Sequence, residues 1–324
     1  MDLQVNGFAG VDFLDADETA YLRAGEAMLR HGVVGYQPTL VSAPPDATRA
    51  ALATIGRVQS EAERSGRYPA IIGAHVEGPF LSPRRPGVHP PSLLRIPDAG
   101  LLDTFLEAGP VSMVTLAPEL PGALDLVARL TRAGVVVSVG HSDASCQDAI
   151  SAFERGARSV THLFNAMRPI AGRDPGLAGR ALVDHRVVML AIVDRLHVAD
   201  ELIRLAFGAA PGRIALITDA LPAADTQLTA TSLGGTEIGI VDGVARDSRG
   251  ILAGSLLTMD AAVRNAIDVG IDPAVAIDAA SRVPANLIDR DDLGILAPGG
   301  EANLVVLDDA FQITQVLRRG TPVL

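Results

Sequence analysis

Four polar residues stand where apolar runs end. Glu77 follows the run 70–76, His141 follows 134–140, His162 follows 157–161, and Asp219 follows 213–218. In a parallel α/β barrel the carboxyl ends of all strands meet at one face, and catalytic residues sit there. Two imidazoles and a carboxylate converging on that face can bind zinc and leave a position open for water. A further carboxylate, Asp219, can move protons, so the set of residue types reads as metal-assisted hydrolysis.

Each of these residues also has an ordinary reading when taken alone. Glu77 is then a solvated loop residue, His141 a helix-start residue and Asp219 a helix N-cap. Their combination favours the metal. His141 and His162 are separated by about one strand–helix repeat, which puts them on neighbouring strands and makes shared ligation easy. His75 alternates with Glu77 along one strand and shares its face, so one of the two is a ligand and the other a supporting residue. Three loops add candidates: Gly87-Val88-His89-Pro90-Pro91, Gly172-Arg173-Asp174-Pro175-Gly176 and Leu196-His197-Val198. Arg173 in its glycine-rich loop suits a phosphate or carboxylate clamp, and otherwise a surface position. His31 and His185 lie away from strand ends and receive no role.

The elements that must position these groups are eight strand-like runs, at 2–6, 33–41, 70–76, 111–116, 135–139, 159–163, 187–193 and 214–218. They are apolar almost throughout, as expected of strands buried on both faces. Helical stretches at 17–30, 45–65, 98–108, 124–133 and 144–155 separate them, each followed by a glycine suited to a left-handed cap. Alternating units of this kind predict a parallel sheet, and eight of them favour closure into a (β/α)8 barrel over an open doubly wound sheet. Beyond Asp219 the pattern changes to short strands with turns at Gly234-Gly235, Asp242-Gly243 and 248–250, then helices over 257–269 and 272–281, then a strand pair at 302–307 and 312–317. The expected organisation is a barrel formed by 1–226 and 255–290, with a small satellite β domain from 227–254 and 291–324.

Length and composition agree. A chain of 324 residues suits one barrel with additions, and a 48% apolar fraction supplies a large core. A net charge of −11 argues against nucleic acid or an anionic membrane as partner, but not against a small anionic substrate met by a local basic pocket. Cys146 is the sole cysteine, so no intrachain disulfide can form. No secretory leader and no apolar run of membrane-spanning length is visible, which makes a cytoplasmic protein the expectation.

The chain closely resembles the N-acetylglucosamine-6-phosphate deacetylases of the amidohydrolase superfamily. The resemblance rests on His75-Val76-Glu77-Gly78-Pro79-Phe80, Gly140-His141-Ser142, the block 161–179, Thr218-Asp219-Ala220 and Leu252-Ala253-Gly254-Ser255. It implies one divalent metal held by Glu77, His141 and His162, with zinc expected first and Fe2+, Co2+ or Mn2+ as alternatives. It implies that His89 polarises the acetamide carbonyl and that Asp219 acts first as general base and then as general acid. Asn165, Ala166 and His197 would contact the sugar phosphate. Arg173 would bind the phosphate from the partner subunit of a homodimer. Many amidohydrolases carry His-X-His on the first strand and bind two metals; Gln4-Val5-Asn6 here implies one, because neutral amides are poor zinc ligands. Two departures stand out. Met1 lies almost on the first barrel strand, so a satellite sheet shortened at its N-terminal side is expected. Arg195 replaces the family's usual glycine and would add a cation beside the phosphate. The alternatives are an amidohydrolase acting on another acylated sugar phosphate, a cyclic amide, a dipeptide or a nucleobase, and a non-catalytic binding protein that retains the fold.

Overall fold

The computed structural model describes residues 1–323. Eight parallel strands follow one another around a barrel in chain order: β1 Asp2–Val5, β2 Gly35–Leu40, β3 Ala74–Glu77, β4 Val111–Leu116, β5 Val136–Val139, β6 Ser159–Val160, β7 Val188–Ile192 and β8 Ile214–Ile217. The seam between β1 and β8 carries no regular ladder. It is closed by Asp219 N–H donating to the Gln4 carbonyl at 2.8 Å, and by the buried Asp2 carboxylate accepting from Thr218 N at 3.2 Å and Thr218 Oγ1 at 2.6 Å.

Every residue of β1, β2, β3, β5, β6 and β8 is buried, as the apolar runs require. The two strand faces nevertheless differ. Val114 and Leu116, and Val137 and Val139, belong to the apolar core. The opposite parity carries polar groups that bond to one another: His75 Nε2 meets Thr115 Oγ1 at 2.7 Å, and Thr161 Oγ1 meets both Thr115 Oγ1 at 2.7 Å and Ser138 Oγ at 2.6 Å. This hydrogen-bonded belt ties β3, β4, β5 and the end of β6 together beneath the mouth. In the low-dielectric interior such a belt holds only because its members satisfy each other.

Helices α1 Glu18–Arg30, α2 Pro45–Ser65, α3 Ala99–Ala108, α4 Ala123–Arg132 and α5 Cys146–Glu154 lie where the periodicity places them. Two further helices, α6 Gly176–Val183 and α7 Asp200–Ala209, complete the alternation. Neither has a side-chain N-cap, so neither announces its start in the sequence. The left-handed cap is observed at Gly66, with φ of 65°, but not at Gly109, which is extended. Gly109 answers to crowding instead, since a Cβ there would meet the Leu52 carbonyl oxygen at 2.2 Å.

After β8 the chain forms β9 Ala230–Leu233, β10 Thr236–Val241 and β11 Val244–Asp247, one antiparallel sheet. Helices α8 Met259–Asp268, α9 Pro273–Ala280 and α10 Arg282–Leu287 follow. Strands β12 Leu304–Leu307, β13 Ile313–Arg318 and β14 Thr321–Pro322 then make a second, separate three-stranded sheet. The two antiparallel regions are therefore two sheets and not a single satellite. The first covers the barrel mouth: Leu233, Ile238 and Ala245 pack with Val41, Leu221 and Val88 in a small core of their own. The second is fastened to the barrel side, where Arg318 Nε donates to the Tyr68 carbonyl.

Candidate active site

Register sets the heights of the key residues. Val139 of β5 pairs with Val160 of β6, and His141 and His162 each lie two residues further on. Ile192 of β7 pairs with Ile217 of β8, and Asp194 and Asp219 again lie two residues beyond. Glu77 is the last residue of β3. Three of these positions leave their strands through left-handed backbone: His141 at φ 45°, His162 at 30° and Asp219 at 51°. Such conformations cost non-glycine residues of order 1–3 kcal/mol each and persist where the surrounding fold imposes them, commonly at functional sites. Gly140 is needed for the approach of β5 to β6, because a Cβ there would stand 2.7 Å from Thr161 Cβ.

The result is a triangle of donor atoms. Glu77 Oε1 lies 3.3 Å from His141 Nε2 and 3.2 Å from His162 Nε2, and the two imidazole nitrogens are 3.0 Å apart. Ligand atoms about 2.0–2.2 Å from a tetrahedral zinc are separated by roughly 3.3 Å, so the triangle has the dimensions of a metal face. His141 Nδ1 donates to the Arg85 carbonyl at 3.0 Å, which leaves a lone pair on Nε2. Two imidazole nitrogens facing each other and a carboxylate need a shared proton or a cation between them. The residues present therefore fit a divalent metal.

Glu77, His89 and His141 also offer donor atoms within 4.8 Å of one another. His89 is nonetheless a poor ligand. The backbone N–H of Ser42 donates to its Nδ1 at 3.2 Å, so the proton of the neutral ring is on Nε2, 3.8 Å from Glu77 Oε2. Burial, reinforced by His141, lowers the His89 pKa to about 3, which keeps the ring neutral. His89 is thus a neutral Nε2–H donor beside the triangle. His75 is excluded as a ligand by a similar argument: Nδ1 donates to the Leu3 carbonyl at 3.1 Å and Nε2 is taken by Thr115. Of the pair His75 and Glu77, the carboxylate faces the triangle and the imidazole braces the belt.

Burial and the Glu77 charge raise Asp219 to about 6. Glu77 goes the other way: burial alone would raise it, but the close approach of His141 and His162 holds it well below the usual carboxylate range. Two carboxylates with pKa values driven apart are suited to different roles. Asn6 Nδ2 donates to Asp219 Oδ1 at 2.8 Å, and Gln4 Nε2 donates to both Asp219 Oδ1 at 3.2 Å and Glu77 Oε1 at 3.1 Å. Gln4 Oε1 and Asn6 Oδ1 are buried without a partner among the described residues, as is His162 Nδ1. Two residues apart on the first strand, Gln4 and Asn6 share a face; their grip on Asp219 is set by the fold.

A cavity of about 230 Å3 opens over these groups, lined by Glu77, His89, His141, His162 and Asp219 together with Asn165, Ala166 and His197. Arg173 is exposed and does not line it. Arg195 lies on the surface, its Nη2 paired with Asp200 at 2.9 Å, so the cation expected beside the phosphate is directed elsewhere. Residues missed by the sequence reading are Ser42, which sets the His89 tautomer, and Asp194, whose Oδ2 accepts from His197 Nδ1 at 2.7 Å. A larger cavity of about 350 Å3, bounded by Met1, Ile277, Leu293, Val305 and Ile313, contains none of the candidate chemistry. Among the described residues no helix is long and apolar enough to cross a membrane.

The profile of the amidohydrolase family matches residues 8–323. An N-acetylgalactosamine-6-phosphate deacetylase of Escherichia coli O157:H7 is 37% identical over 99% of this chain and 85% of its own length. An N-acetylglucosamine-6-phosphate deacetylase of Danio rerio is 35% identical over 100% of this chain and 83% of its own. The structure of N-acetyl-D-glucosamine-6-phosphate deacetylase from Mycobacterium smegmatis, an aspartate-to-alanine mutant in complex with N-acetyl-D-glucosamine-6-phosphate, superposes with a TM-score of 0.94. It is 37% identical, and the match covers 100% of this chain and 85% of that one. With a matching family profile and full-length relatives that share both sequence and fold, the chain belongs to the amidohydrolase family.

Proposed function

We propose that this protein hydrolyses N-acetylglucosamine 6-phosphate to glucosamine 6-phosphate and acetate. The observation that carries the reading is the Glu77–His141–His162 triangle with Asp219 beside it, in a chain similar over its full length to amino-sugar-phosphate deacetylases. Glu77, His141 and His162 would hold one divalent metal, zinc first by its preference for tetrahedral nitrogen and oxygen donors, although Fe2+, Co2+ and Mn2+ accept the same set. Such a metal supplies Lewis-acid polarisation of the amide carbonyl and a water of lowered pKa.

The chain's own residues do the rest. Asp219, held by Asn6 and Gln4, takes a proton from the attacking water. As oxygen bonds to the carbonyl carbon, the developing oxyanion is met by His89 Nε2–H, a neutral donor fixed by Ser42. Asp219 then returns its proton to the nitrogen as the C–N bond breaks, giving the free amine and acetate. Asn165, Ala166 and His197, which line the same cavity, contact the sugar phosphate. Arg173, exposed in its own chain, serves as the phosphate clamp of a second copy in a homodimer. The single unpaired thiol, Cys146, suits a reducing compartment, and we read the setting as cytoplasmic.

The test is acetate release by zinc-loaded protein from N-acetylglucosamine 6-phosphate against unphosphorylated N-acetylglucosamine. Fast release from the phosphorylated sugar is expected; release from neither would sink the reading. The galactosamine epimer is the second reading, motivated by the Escherichia coli relative, and running both epimers in one assay decides between them.

A further inference from the structure

The turn after β7 is fastened more firmly than a surface loop requires. Asp194 Oδ1 accepts from Leu196 N and His197 N, both at 2.9 Å, closing the turn around Arg195, whose φ is 63°. Asn265 Nδ2 of α8 holds the preceding carbonyl, that of Val193, at 2.9 Å. Within this frame Asp194 Oδ2 lies 2.7 Å from His197 Nδ1, with side chains only 9% and 8% exposed. Although burial works to raise it, hydrogen bonds from His197 hold Asp194 below the usual carboxylate range, so it is the acceptor and His197 Nδ1 carries a proton. The ring's remaining polar atom, Nε2, is left to a ligand in the cavity that His197 lines. The neighbouring cation, Arg195, is spent on Asp200.

We propose that Asp194 is a positioning residue for substrate phosphate: accepting from Nδ1, it aims the His197 ring into the cavity and backs its imidazolium opposite the phosphate dianion, so that Nε2–H donates to a phosphoryl oxygen. The inference rests on the phosphorylated sugar being the substrate. The chemistry favours an anion over a sugar hydroxyl, because a carboxylate behind the ring stabilises the doubly protonated form and a dianion in front of it does the same. A neutral hydroxyl would meet the neutral ring, with Nε2 accepting, and would leave the second protonation unused.

The experiment compares wild type, Asp194→Asn, His197→Gln and the double variant, each zinc-loaded, on N-acetylglucosamine 6-phosphate and on N-acetylglucosamine. For Asp194→Asn, kcat/KM on the phosphorylated sugar should fall by roughly 10–100-fold, the value of a lost charge-assisted hydrogen bond, with most of the loss in KM. The preference for the phosphorylated sugar should shrink with it. His197→Gln should behave alike, and the double variant should be no worse than either, because the two residues act as one unit. Preference preserved in Asp194→Asn, or losses that simply add, would overturn the inference. A wild type without phosphate preference would instead overturn the function on which it rests. Should Asp194→Asn fail to fold, the wild type still decides. With glucosamine 6-phosphate bound, the His197 ring nitrogen-15 signals should lie in the imidazolium range, and signals in the neutral-ring range would refute the proposal.

Discussion

The two groups of residues lining the cavity are built on opposite plans. Glu77, His141, His162 and Asp219 each hang within two residues of a barrel strand and are buried; Gln4 and Asn6 hold Glu77 and Asp219, and the Arg85 carbonyl holds His141. Asn165, Ala166 and His197 lie in loops, are half-buried or at the edge of burial, and Arg173 stands outside altogether. Metal and proton transfer demand positions held to a fraction of an ångström, and a strand end provides that. Recognition of a charged tail is left to loop residues, of which the turn carrying His197 is fastened by Asp194 and Asn265. Left-handed backbone is common to both groups, at His141, His162 and Asp219 and again at Ala166 and Arg195; what differs is that the turn at Arg195 is closed by its own Asx-type bonds.

If the first group carries the chemistry, its removal must abolish turnover and not weaken affinity. Stripping the metal with a chelator should leave no measurable acetate release, and adding Zn2+ should restore it; activity that survives exhaustive chelation would break the comparison at its root. Asp219→Asn should lower kcat by about 10^3–10^4-fold with metal content retained, since it removes both proton transfers. Metal analysis beside single-turnover rates checks both halves of that statement.

The second group should respond differently. Arg173→Ala should raise KM for the phosphorylated sugar by roughly 10–100-fold while kcat changes little, and should leave metal content alone. Mixing Arg173→Ala with Asp219→Asn protein sharpens the point: heterodimers regain one intact site if the arginine crosses the interface, and gain nothing if it acts within its own chain.

The smaller effects separate the two carboxylates. Asp219 must be ionised to accept a proton, and burial with the Glu77 charge sets it near 6. Activity should therefore be present above that pH and fall about tenfold per unit below it. A profile flat from pH 5 to 7 would remove Asp219 as base. Ser42→Ala keeps the backbone N–H that sets the His89 tautomer and loses only the Oγ contact at 2.9 Å, so a loss of merely a few-fold in kcat is expected. A loss as large as that of Asp219→Asn would mean that the hydroxyl, not the tautomer, matters.

How much of this was legible depended on the range over which each feature is decided. The eight strands are largely apolar runs, and the strand-to-loop transitions at Glu77, His141, His162 and Asp219 are local, so their common face followed from the alternation of strands and helices. Helices α6 and α7 were not legible individually, because they are short and begin without a capping side chain. The polar parity of β3 to β5 was hidden for another reason: Thr115 and Ser138 look unremarkable in an apolar run until their partners on other strands are known.

By itself, the sequence determined the architecture, the residues at the strand ends and the type of chemistry they support, since hydrophobic period and residue type are properties of short stretches of chain. Only the tertiary structure decided which imidazoles are free to ligate. Leu3 and Thr115 occupy His75, Ser42 puts the proton of His89 on Nε2, and Arg85 leaves His141 with its lone pair toward Glu77. It also turned Arg195 outward to Asp200 and set Asp194 behind His197. Each of these outcomes is a hydrogen bond whose direction depends on which partner the fold supplies. For most of them that partner lies dozens of residues away or across a turn that closes only once the barrel is formed.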